Sequence, residues 1–99
     1  MSLNDEQRAQ TGRELRALRA ALPYTDGALE ANLAFRLQDI LPMSDMVNPR
    51  DVWILRDYLV AAAEKAGIAV PDFTFLRDDM RRSAQGWFGS WQVPPVDNL

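Results

Sequence analysis

Residues 48–67 carry a full specification for one helix, and that stretch constrains the fold more than any other. Asn48 is a good N-cap, because its side-chain oxygen can accept from an amide of the first turn. Pro49 suits the first helical position, where its missing N–H is no loss. Val52, Leu55, Leu59, Ala62 and Ala66 recur at helical spacing, and Trp53, Ile54 and Tyr58 widen that stripe. Gly67 is placed to end the helix in the left-handed conformation, with Ile68 folding back as its hydrophobic contact. The spacing predicts a helix over about residues 49–66.

Three more segments follow the same logic. Ser2 or Asn4 can cap a first helix whose opening turn holds Asp5 and Glu6, and Thr11 with Glu14 offers a second, internal capping box. Leu15, Leu18 and Leu22 share a face, and Pro23 ends the segment, giving a helix over about residues 4–21 that Gly12 loosens. Thr25 or Asp26 caps the next, where Leu29, Leu33, Leu37, Ile40 and Leu41 predict a helix over about residues 26–41, stopped by Pro42. The loop Met43-Ser44-Asp45-Met46-Val47 is apolar enough to pack down onto the rest. Asp72 caps the last segment, a helix over about residues 72–88 with the stripe Phe73, Leu76, Met80, Ala84 and Trp87 and an ion pair between Asp78 and Arg82. Beyond it, residues 89–99 contain Pro94-Pro95 and read as an extended tail.

These readings agree on one fold class: all-α, a single domain over residues 1–99, arranged as a compact four-helix bundle-like unit with an extended aromatic and proline-containing tail. The expected core is Leu15, Leu18, Leu22, Leu29, Leu33, Leu37, Leu41, Val52, Leu55, Leu59, Phe73, Leu76 and Met80. No segment alternates as a strand does, and none is apolar for long enough to span a bilayer. With a polar, acidic start and no leader-like apolar region, the expected location is the cytoplasm.

Composition bears mainly on function. The chain has no Cys and no His, which removes thiolate chemistry, zinc-thiolate sites and the commonest general base. Carboxylates, Tyr, Ser/Thr and Lys65 remain, with no phosphate-cradling loop and no ligand spacing for calcium. The reading is therefore of a non-enzyme without metal or cofactor. A formal net charge of −3 argues against a binder driven by phosphate contacts. The preference for Arg over Lys and the abundance of Ala suggest a GC-rich genome, hence a bacterium or its phage.

Three groups of residues are candidates for binding. Trp87, Phe88 and Trp91 place three large rings within five residues, beside Gly86 and Gly89. The main reading is that these rings fold back and close a core this small, and the other is that they anchor an interface. Trp87 continues the last stripe and is expected inside, which leaves Trp91 as the free anchor. Trp53 and Tyr58, five apart, point to different sides of their helix; the main reading is a core stripe wide enough to take both, and the other is one ring inward and one at a partner or homodimer surface. Arg8, Arg16 and Arg19 line one side of the first helix, with Arg13 displaced from them; the main reading is a solvated face with Asp5 and Glu14 as partners, and the other is a ridge that meets phosphates or an acidic protein. Asp78 and Asp79 are flanked by arginines and read as solvated surface. Together these point to a small non-catalytic protein-interaction module: an inhibitor, immunity factor or adaptor that binds another protein. The alternative is a small nucleic-acid-associated regulator using the first-helix arginines.

Overall fold

The computed structural model describes residues 3–99. The described residues form five α-helices: α1 (Asp5–Ala21), α2 (Asp26–Glu30), α3 (Leu37–Ile40), α4 (Pro49–Ala66) and α5 (Arg81–Phe88), with a 3-10 turn at Asp78–Met80 just before α5. Helix accounts for more than half of the described residues, and there is no strand among them. Among the described residues no helix is long and apolar enough to cross a membrane.

The long helices form for the reasons their sequences supply. Asn4 accepts from the Gln7 amide at 2.8 Å while the Gln7 side chain accepts from the Asn4 amide at 2.9 Å, a reciprocal capping box. Ser2, the other candidate cap, lies outside the described residues. Thr11 does not cap: it sits inside α1, fully buried, and its hydroxyl has no hydrogen-bond partner among the described residues. In α4, Asn48 accepts from the Arg50 amide, Pro49 opens the helix, and Gly67 closes it at φ 72° with the Ile68 amide donating back to Ala63 at 2.9 Å.

α1 packs against α4, and α4 against α5. Leu15 and Leu18 meet Leu55, Tyr58, Leu59 and Ala62 in one core cluster with Leu29, Leu37, Ile40, Phe73 and Leu76. Burial of each such leucine contributes roughly 1.5–3 kcal/mol relative to leaving it in water. Gly12 is not a weak point in α1. It is buried, and a Cβ there would stand 2.9 Å from Met43 Cγ, so the missing side chain lets the 43–47 loop close onto the helix. Met43 reaches that place with a left-handed backbone, φ 54°.

Two segments depart from the sequence reading. The helix expected over 26–41 is broken into α2 and α3 by residues 31–36. The Glu30 carboxylate accepts from the Leu37 amide at 2.8 Å and so caps α3, while Asn32 donates to Tyr58 Oη at 3.1 Å. Leu29, Leu37 and Ile40 still reach the core, but Leu33 and Leu41 are only half-buried. The helix expected over 72–88 begins at Arg81 instead, or at Asp78 if its 3-10 turn is counted. Phe73 and Leu76 are buried from non-helical backbone, held by Glu14, whose carboxylate accepts from the Thr74 amide at 3.1 Å and its hydroxyl at 2.7 Å. The 43–47 loop packs down through Met43, but Met46 is 88% exposed.

Candidate interaction site

Where α1, the 43–47 loop, the first turns of α4 and α5 converge, the surface sinks into a groove of about 410 Å³. Leu3, Val47, Val52, Trp53, Phe75, Met80, Ala84, Trp87 and Phe88 supply its apolar lining, with Gln7, Arg8, Asp45 and Ser83 among the polar residues. Trp87 is 70% exposed. A large ring in that state is already partly desolvated along one wall and still offers most of its area to a second surface. α5 presents it there because the helix is only eight residues long and buries Ala84 alone.

The expectation that Trp87 lies inside and Trp91 outside is reversed. Trp91 is half-buried: its ring lies 5.6 Å from that of Trp53, tilted by 31°, and its indole N–H donates to Asp57 Oδ2 at 3.0 Å. The cause is the Asp57 carboxylate. Trp carries a donor on an apolar body, so the copy that reaches a buried acceptor is the one drawn in.

Asp57 belongs to a network that sequence reasoning missed. Arg56 donates to Asp57 at 2.8 Å and to the Leu76 carbonyl at 3.1 Å, and pairs with Asp78 at 2.9 Å. Arg81 donates to both Asp57 oxygens and to Asp78. The guanidinium groups lie over aromatic faces, Arg56 at 5.0 Å from the Phe73 centroid and Arg81 at 5.5 Å from that of Trp53. Burial pushes the Asp57 carboxyl up, and hydrogen bonds from Arg81, Trp91 and Arg56 more than offset it, so its pKa falls below the ordinary value. The Asp78 pKa is also lowered, chiefly by its hydrogen bond from Arg81. The Asp78–Arg82 pair does not form. In a 3-10 turn residues three apart stand in line, so Arg81 takes the place expected of Arg82. One signal for the network was present in the sequence: Arg56 and Asp57 sit inside an apolar stripe so wide that neither could stay in water.

The remaining candidates are dispersed. Trp53 and Tyr58 are both buried, as a wide core stripe requires, and neither ring faces outward; Tyr58 donates to the Leu29 carbonyl at 3.0 Å. Trp53 is among the groove-lining residues although it is only 5% exposed. Arg8 donates to Asp5 and to the Leu3 carbonyl, Arg16 to the Leu41 carbonyl at 2.6 Å, and Arg19 to Asp26 at 2.7 Å. Each of these cations therefore has an intramolecular acceptor. No three acidic side chains among the described residues are close enough to share a metal ion.

Residues 1–89 match the sequence model of a family described as "Uncharacterized protein conserved in bacteria (DUF2316)". The chain belongs to that family. The DUF2316 match spans α1 to α5, and the groove lies within it; Trp91 and the tail lie beyond it. No curated protein and no solved structure matches the chain.

Proposed function

We propose that this DUF2316 protein is a non-catalytic interaction module that takes an apolar segment of another protein into the Trp87 groove. The observation that carries the reading is Trp87 itself, exposed at the rim of an apolar groove. Exposed aromatic anchors beside a pocket are the usual source of interface energy. The groove lining carries one cation and one anion, Arg8 and Asp45, and so lacks the basic excess that phosphate recognition needs. Met80, partly buried in the lining, adds adaptable contact surface. Inhibitor, immunity factor and adaptor are all roles such a groove serves.

The test uses peptides displayed on phage and selected on the whole protein. Enriched sequences should be apolar or aromatic, and their affinity should fall by about 2 kcal/mol or more with Trp87→Ala, the loss typical of a hot spot. Selected peptides that bind Trp87→Ala as well as the unchanged protein would refute the groove as the site.

A second reading rests on the order of the short helices. α2 and α3, set between two long helices, follow the sequence of a helix-turn-helix unit, with a connection longer than the usual 3–4 residues. Arg36 and Gln38 stand exposed at the start of α3. This shifts the nucleic-acid alternative from Arg8, Arg16 and Arg19 to α3. It calls for duplex DNA binding that weakens steeply with salt and is lost in Arg36→Ala. No mobility shift at low salt would dismiss it.

A further inference from the structure

Residues 91–96 cross the molecule as an extended strap that closes in a turn over residues 96–99, and its polar contacts are made with side chains of the helical body. Trp91 stacks on Trp53 and donates to Asp57. Farther along, Lys65 Nζ donates to the carbonyls of Val96 and Asp97, both at 2.8 Å. At the end, Asn98 and Asn32 exchange side-chain hydrogen bonds at 2.8 and 3.0 Å. Within the strap itself the one backbone hydrogen bond is from Leu99 to Val96. These partners come from the middle and end of α4 and from the α2–α3 connection, so a track of three polar anchor points runs along the body. The contacts are those by which proteins bind extended peptides: a ring in an aromatic and charged seat, then main-chain carbonyls taken by a donor. Pro94-Pro95 keep the segment extended before it docks, which lowers the ordering cost.

We propose that residues 91–99 are a releasable strap, an intramolecular ligand for an extended-peptide site made by Trp53, Asp57, Lys65 and Asn32. Release hinges at Gly89, whose φ of 76° ends α5 in a conformation favourable to glycine. The polar anchors beyond Trp91 are solvent-exposed, and such hydrogen bonds exchange readily with water, while Val96 and Leu99 rest half-buried against the core. α1 and α4 contact each other directly, independently of the strap's polar anchors. This site differs from the Trp87 groove and stands or falls separately from it.

The decisive experiment measures binding in trans. A fluorescein-labelled peptide of residues 90–99 is titrated into the full chain, followed by anisotropy. In the unchanged protein the tethered strap competes at an effective concentration on the order of 1 mM, so binding is weak. The double variant Trp91→Ala with Asn98→Ala, shown by circular dichroism to be folded, should bind the peptide at least about tenfold more tightly. Adding Lys65→Ala should remove most of that gain. Equal binding by the unchanged protein and the folded double variant, or no effect of Lys65→Ala, overturns the proposal. Should the double variant not fold, hydrogen exchange of the unchanged protein decides. The Trp91 indole N–H should have a protection factor at least about a hundredfold below those of the Leu55 and Leu59 amides, as for a sub-global opening. Equal protection would mean that the strap leaves only when the whole protein unfolds.

Discussion

The α1–α4 pair and the stretch from residue 70 onward are held together by different forces. In the first, leucines from two long helices meet across a dry core, and the polar groups are mostly backbone amides already paired within the helices. In the second, little backbone is helical, and order comes from Arg56, Asp57, Asp78, Arg81, Glu14 and Lys65 reaching across to the chain. Leucine packing is non-directional and tolerates rearrangement. A charged network demands that each partner be present, because a buried carboxylate or guanidinium left alone is costly. Trp87 and Trp91 show the outcome for one residue type: four positions apart, one faces water and the other is locked to Asp57.

That contrast can be broken by mutation, and the largest effect should come from the leucine side. Leu55→Ala or Leu59→Ala should cost roughly 2–5 kcal/mol, read as a lower urea midpoint. Both leucines are fully buried, so an unchanged midpoint would mean that the α1–α4 core is not where stability resides.

Removing the hub of the polar side should come next. Asp57→Ala leaves Arg56, Arg81 and the Trp91 indole without their shared acceptor. The expected loss is about 3 kcal/mol, the low end for breaking a buried pair, because Arg81 and Asp78 also reach solvent. The same network gives a pH dependence. Asp57 and Asp78 have folded-state pKa values below their ordinary ones, so the folded state binds protons less readily than the unfolded. Their contribution is full above the ordinary carboxylate range and is lost as pH falls below about 4, through the lowered values. Urea midpoints measured against pH should fall on the acid side in the unchanged protein, and less steeply in Asp57→Ala. Parallel curves for the two would show that the network has no net weight in stability.

The two tryptophans provide the finer comparison. Trp91→Phe keeps a ring against Trp53 but removes the donor to Asp57, and should cost about 1.5–3 kcal/mol, the range for a hydrogen bond to a charged group. Trp87→Ala should change stability by no more than about 0.5 kcal/mol, as for surface positions. A reversed order in thermal melts would restore the stripe-based assignment and remove the argument for the groove.

How much of this was legible follows from the physics of each element. α1 and α4 could be read almost to the residue, because their caps, stripes and stops are all local. The groove could not: it exists only where α1, the 43–47 loop, α4 and α5 converge, and Trp87 reads as core by periodicity alone. The α2–α3 break was hidden too, because Leu29, Leu33, Leu37 and Ile40 keep helical spacing across it. What interrupts the helix is Glu30 capping Leu37 and Asn32 bonding to Tyr58, and the second of these joins residues 26 apart.

The sequence by itself determined the all-helical class, the two long helices and the leucines that pair them, since propensity, capping and a 3.6-residue period act between near neighbours. Only the tertiary structure decided which tryptophan is buried, where the final helix begins and where the strap lies. Those outcomes turn on Asp57, Glu14 and Lys65 accepting from or donating to groups 31 to 60 residues away. A hydrogen bond of that reach depends on which surfaces the folded chain brings together, and local spacing carries no record of it.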